Sequence, residues 1–150
     1  MKGFTLIEIL VTISIAAVLF AIIVSGFSGL RNNSDLQSAV EDSVSYLQET
    51  RANTLSSNNA NVYGVHFESG KFVLFVGATY DPASATNKNR LLPSSVEINS
   101  ISLNGGGNDV VFKRLTGETS SHGTVTFRLT SNTSVTKTIN ILSTGLSNVQ

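Results

Sequence analysis

The sequence predicts an α+β protein in which a long N-terminal helix packs on a small antiparallel β-sheet domain. Three observations predict it. An apolar run fills residues 4–24, a period near 3.6 governs residues 36–55, and a period of two takes over from Val62 onward. The segments that follow are a short leading stretch (1–3), a transmembrane half of the helix (4–24), an amphipathic half (25–57) and a β-rich head (58–150). Composition agrees. Charged residues make up 13% of the 150-residue chain, well below the usual share of about a quarter. Gly, Ser, Thr and Asn are frequent, which suits turns and strands better than solvated helices.

The apolar run begins at Phe4 and ends at Val24. As a helix it spans about 31 Å at ~1.5 Å per residue, the hydrocarbon thickness of a bilayer. Glu8 is its one charge. Thr12 and Ser14 can return their hydroxyl bonds to the preceding turn, so they cost little there. A secretory signal peptide fits poorly, because the run is long, carries an acid near its start and is followed by no small-x-small site beyond Ser25-Gly26. A plain single-span anchor leaves Glu8 unexplained. A carboxylate at mid-bilayer costs about 2.5–3.5 kcal/mol, less near the edge, and usually marks function.

Ser25-Gly26-Phe27-Ser28-Gly29 interrupts the run. Two glycines in a helix interior cost about 1 kcal/mol each relative to Ala, so a frayed membrane exit or a soft joint is expected here. The next stretch places Leu36, Val40, Val44, Leu47 and Leu55 on one face, with Ala39 and Ala52 beside them. Asp35, Glu41, Asp42, Gln48 and Glu49 lie elsewhere. Ser34 or Asp35 could cap a restarted helix, and Asn58-Asn59-Ala60-Asn61 ends it.

About six strands are expected after that. Val65 and Phe67 precede a Ser69-Gly70 turn, and Phe72-Val73-Leu74-Phe75-Val76 follows. Val96 and Ile98 alternate, then the phase slips to Ile101 and Leu103, which a bulge near Asn99-Ser100 would explain. Gly105-Gly106-Gly107-Asn108 turns the chain into Val110-Val111-Phe112. Val125, Phe127 and Leu129 alternate with polar residues, a turn spans 131–134, and Ile139 and Ile141 alternate again. The apolar face is expected to pack on the 36–55 stripe. The 78–90 segment, poor in apolar residues, is expected to be an exposed, mobile loop.

The string Lys2-Gly3-Phe4-Thr5-Leu6-Ile7-Glu8 resembles the processing site of type IV prepilins and type II secretion pseudopilins. The resemblance implies a leader peptide of residues 1–3, cleavage after Gly3 by a prepilin peptidase and N-methylation of the new N-terminal Phe4. It also makes Glu8 the assembly glutamate. The physics is consistent with this. A cut before the span keeps the helix in the mature chain and frees an amine at Phe4, one helical turn from Glu8. Where such helices bundle, Glu8 of one subunit can pair with the Phe4 amine of a neighbour. A buried pair adds little stability but penalises wrong registers, so Glu8 is expected to set the stagger between subunits. The helix end Leu47–Ala52, the hairpin at Val65-His66-Phe67, the Gly123–Phe127 strand and the closing Ile139–Gly145 stretch are similar to the GspH/FimT branch of minor pseudopilins.

Membership implies other pilin or pseudopilin subunits, a prepilin peptidase, and an inner-membrane assembly platform with its ATPase as partners. It also implies a precursor in the cytoplasmic membrane and, after assembly, a periplasmic or cell-surface filament. The head would lie outside the cytoplasm, as Lys2 on the inner flank also suggests. No cofactor is expected. Gly105-Gly106-Gly107 lacks the following Lys-Ser/Thr of a phosphate loop. The chain has no cysteine, so thiolate metal sites and disulfides are excluded. His66, expected on a strand's polar face, and His122, in a loop beside Ser121, lack a second ligand at metal spacing. Asp81 and Asp109, read as loop residues, form no acidic cluster for calcium. Neither a metal site nor an enzymatic activity is expected.

Ten basic residues balance ten acidic ones, so no broad electrostatic attraction to nucleic acid follows. The rival function is DNA binding, since some FimT-like members bind DNA for uptake. Lys113, Arg114, Arg128 and Lys137 could form a small patch making weak, salt-sensitive contacts. Where DNA-binding members carry arginines after the terminal Gly, this chain has Leu146-Ser147-Asn148, which weighs against that role. A further alternative is a membrane-tethered binding module that never polymerises.

Overall fold

The computed structural model describes residues 3–56 and 61–150, with the backbone alone over 24–28. Lys2 and the expected helix stop at Asn58-Asn59-Ala60 lie outside the described residues. One helix, α1 (Leu6–Leu55), covers both predicted halves. The glycine-containing stretch at 25–29 does not break it and no restart occurs at Ser34 or Asp35. Two glycines cost about 2 kcal/mol, whereas a break would leave four N–H and four C=O groups without intrahelical partners. The chain divides into two compact units, residues up to Ser34 and Asp35–Gln150.

The first unit is helix with its apolar side chains exposed. Among the described residues, one stretch, Leu6–Ile23, is long and apolar enough to cross a membrane, and none of it is buried.

The second unit holds the core. Leu36, Ala39, Val40 and Leu47 are buried, and Val44 packs against them. Ala52, expected on this face, is exposed. Ser43, Thr50 and Thr54 are buried and complete the stripe instead. Their hydroxyls donate to the carbonyls of Ala39 (2.8 Å), Tyr46 (2.6 Å) and Thr50 (3.0 Å). Each polar side chain on the buried face thus satisfies itself within the helix.

Eight strands follow among the described residues: β1 (Tyr63–Glu68), β2 (Lys71–Val76), β3 (Lys88–Leu91), β4 (Val96–Leu103), β5 (Asp109–Val111), β6 (Gly123–Leu129), β7 (Thr136–Ile141) and β8 (Ser147–Val149). They form two four-stranded sheets, ordered β3-β2-β1-β5 and β4-β6-β7-β8, with antiparallel pairing throughout. The β1–β2 hairpin turns at Ser69-Gly70. The β4–β6 ladder shifts register between Ile98 and Ser100, which is the bulge that the slipped alternation predicts. Phe67, Phe72, Val110 and Phe112 from one sheet meet Val125, Phe127, Ile139 and Ile141 from the other in one core with the helix stripe. Full burial of one such side chain contributes about 1.5–3 kcal/mol.

β3 and β8 were not expected. β3 occupies the end of the segment read as a mobile loop, and it closes one edge of its sheet. The rest of that segment is turned back on itself. Ala83 N donates to Asp81 Oδ1 at 2.9 Å and Asn87 Nδ2 donates to Asp81 O at 2.7 Å.

Candidate functional site

Residues 3–5 precede α1 without helical structure. Thr5 caps the helix. Glu8 N donates to Thr5 Oγ1 at 3.3 Å, and Thr5 N donates to Glu8 Oε2 at 3.5 Å. This reciprocal pair is a capping box. The T-x-x-E spacing at 5–8 is its signal in the sequence. Gly3 and Phe4 sit just outside the first turn, with Phe4 80% exposed. Glu8 is exposed in that turn, where a carboxylate also complements the positive end of the helix. Thr12 and Ser14 return their hydroxyls to Ile9 O (2.9 Å) and Leu10 O (2.8 Å), as expected. The result is a capped apolar rod with a single carboxylate near its start.

The head carries one notable titratable cluster. His66 faces Asp109 across the β1–β5 ladder, with Nδ1 and Oδ1 2.5 Å apart. Its Nε2 lies 3.6 Å from Glu68, which also pairs with Lys71 at 3.3 Å. The Tyr80 ring stacks on the imidazole at a centroid distance of 3.9 Å. Asp109 is therefore a strand residue with a partner, not a free loop carboxylate, and His66 is largely covered. Among the described residues no three His, Cys, Asp or Glu side chains gather where they could hold a metal.

Of the four cations considered for DNA, Arg128 and Lys137 project from opposite faces of their sheet. Arg128 donates to Glu97 at 2.6 Å on the neighbouring strand. Lys137 opposes Phe127 in the β6–β7 ladder and so projects from the same sheet face as that buried ring. Arg128, the next residue, projects from the other face. Lys113 and Arg114 lie beyond β5, in a separate hairpin. A shallow groove of about 570 Å³ between α1 and β3 is lined by Ser38, Asp42, Phe72, Arg90 and Leu91. Arg90 is held there by Asp42 at 2.7 Å, and that hydrogen bond raises its pKa further.

Comparison with known proteins bears on both units. Residues 1–24 match the prokaryotic N-terminal methylation motif. Two crystal structures of the type IV minor pilin FimU from Pseudomonas aeruginosa share the fold. One aligns with a TM-score of 0.57 at 15% identity over 77% of this chain and 92% of FimU. The other gives 0.56 at 13% identity over 79% and 90%. No curated protein matches the chain at a significant level. Residues 1–24 thus carry the prokaryotic N-terminal methylation motif, and the chain shares the fold of a type IV minor pilin.

Proposed function

We propose that the chain is a structural subunit of a type IV pilus or type II secretion pseudopilus. In this reading a prepilin peptidase cuts between Gly3 and Phe4, Phe4 is N-methylated, and the mature chain assembles through its N-terminal helix. The observation that carries the proposal is the methylation motif set at the start of an apolar stretch with no buried side chain. Such a surface has two stable environments, lipid or other helices. The precursor occupies the first, in the cytoplasmic membrane with its head outside. Assembly exchanges it for the second. Work for the exchange comes from the membrane platform and its ATPase. In the bundle, Glu8 pairs with the Phe4 amine of a neighbour and sets the axial stagger. The likeness to FimU, itself described as a minor pilin, favours a minor subunit over the repeating one.

The test is mass spectrometry of the full chain recovered from cells that assemble it. The proposal expects a chain beginning at methylated Phe4. An intact Met1, as a tethered non-polymerising module would show, sinks it. So does a signal-peptidase cut near residue 26.

A further inference from the structure

Asn104-Gly105 is the one Asn-Gly pair in the chain. It stands at the exit of β4, in a turn that Gly106 N closes by donating to Leu103 O at 3.0 Å. Gly105, Gly106 and Gly107 all have left-handed backbones, with φ of 85°, 75° and 79°. A Cβ added to any of the three would meet nothing within 4 Å, so the turn stands in solvent. Asn104 is exposed as well.

Two hydrogen bonds pin this turn to the segment that leads into β6. Asn104 N donates to His122 O at 2.7 Å, and Asn104 Nδ2 donates to Ser120 O at 3.0 Å. Gly105 N, the next donor along the chain, has no partner among the described residues. Glycine has no side chain to crowd that nitrogen. A free backbone nitrogen thus follows directly on an exposed side-chain amide, in a residue type that is chemically labile.

We infer that Asn104-Gly105 is a site of spontaneous covalent modification, and that the modification unpins the glycine turn from the approach to β6. Gly105 N gives up its proton and attacks Asn104 Cγ. The N–Cγ bond forms, the Cγ–Nδ2 bond breaks, and ammonia leaves with a proton. The product is a five-membered cyclic imide. Water then opens it at either carbonyl. Opening at Cγ gives an aspartyl residue. Opening at the main-chain carbonyl gives an isoaspartyl linkage, in which the chain runs on through Cβ and Cγ. One water is consumed and one ammonia released, and nothing is oxidised or reduced.

Both products exchange the Nδ2 donor for a carboxylate, which has no proton to give to Ser120 O. The isoaspartyl form also lengthens the main chain between β4 and β5. Either form adds a negative charge to a chain whose ten basic residues balance ten acidic ones. Other exposed asparagines lack the combination. Asn99 and Asn132 are followed by Ser100 and Thr133, whose side chains crowd the attacking nitrogen. The Nδ2 bond to Ser120 O must open before attack. It is exposed, so it slows the folded site by no more than about tenfold relative to the unfolded chain.

The test ages the full chain in detergent, in mildly alkaline buffer with and without urea. Peptides are followed by mass spectrometry and by chromatography that separates aspartyl from isoaspartyl forms. Asn104 is expected to convert ahead of Asn99 and Asn132, and its folded rate should lie within about tenfold of its rate in urea. Gly105→Ala should slow the conversion by about tenfold or more, because a methyl group beside the attacking nitrogen raises the barrier. The same slowing should appear in urea, where the shape of the turn no longer matters. Asn104→Asp reproduces the aspartyl product and should speed amide hydrogen exchange over residues 104–108, with β1 and β2 unchanged. Earlier conversion at Asn99 or Asn132 overturns the site. So does a folded rate further below the urea rate than stated, or one indifferent to Gly105→Ala. Unchanged exchange over 104–108 in Asn104→Asp overturns the unpinning.

Discussion

Gly123→Ala should be among the most damaging single-methyl additions in the head. Gly123 opens β6 and pairs on both sides, with Leu103 of β4 and Ile141 of β7. An added Cβ would lie 2.0 Å from Ser102 O and 2.9 Å from Leu103 Cα. Contacts below 3.0 Å essentially never occur for a real Cβ, so the β4 backbone would have to retreat by about 1 Å. Its φ of 151° is moreover one that side chains rarely adopt, and holding alanine there costs about 1–3 kcal/mol. The retreat weakens a ladder hydrogen bond worth about 1 kcal/mol. A loss of roughly 2–4 kcal/mol follows, or about 6–15 °C in melting temperature for a domain of this size. The assay is thermal or urea unfolding of the full chain in detergent, read by tyrosine fluorescence from the head. Gly70→Ala is the control, because a Cβ there meets nothing within 4 Å. If Gly123→Ala loses no more than Gly70→Ala, the close approach of β4 to β6 is not what the residue serves.

Other outcomes follow from the same structure. Phe67→Ala removes a fully buried ring from the contact between the sheets, and urea unfolding should show a loss of about 3–5 kcal/mol. Arg128→Ala breaks a pair with Glu97 that is about one-third exposed, so a double-mutant cycle should assign the pair no more than about 1 kcal/mol. The Tyr46 hydroxyl donates to Lys88 O at 3.2 Å. Burial, and then the Glu49 carboxylate, raise its pKa above the ordinary value. The folded head therefore holds that proton more tightly than the unfolded chain. Its contribution to stability is complete below about pH 10 and is lost as pH climbs through the raised value. Unfolding midpoints should fall along that alkaline limb, and Tyr46→Phe should flatten it.

The elements legible in the sequence were those whose burial imposes a period. The slip between Ile98 and Ile101 predicted the bulge because both flanks keep apolar residues on one face. β3 and β8 were illegible for the converse reason. Lys88-Asn89-Arg90-Leu91 is exposed throughout, so its strand character comes only from its ladder to β2, a tertiary property. The glycine stretch was over-read, since a local propensity cost was set against nothing, although a helix break has its own cost in unpaired backbone groups. In the stripe, Ala52 was assigned inward because it is apolar, while Thr50 and Thr54 took the buried positions. At those positions geometry outweighs polarity, because a threonine hydroxyl can bond back to its own helix. The His66–Asp109 pair lay beyond sequence reasoning because it depends on β5 pairing with β1 across an intervening hairpin and β4.

Glu8 has two possible uses, and the capping box makes them separable. As a charge, in the filament proposed above, it would answer a neighbour's Phe4 amine. As the third residue of α1, it accepts a bond from Thr5 N and closes the helix start. Glutamine serves the second use nearly as well as glutamate but cannot serve the first. Glu8→Val serves neither. If charge pairing sets the stagger, Glu8→Gln should assemble as poorly as Glu8→Val, although both are inserted and hold their heads folded. If the cap is what matters, Glu8→Gln should assemble normally, and Thr5→Ala should fail alongside Glu8→Val. The yield of sheared filaments from the three variants decides between them. The expected order, with Thr5→Ala near wild type and both Glu8 variants deficient, follows from magnitude. An N-cap is worth about 1 kcal/mol in a helix that lipid already stabilises, whereas an amine left unpaired among packed apolar helices costs several kcal/mol in every subunit of the stack.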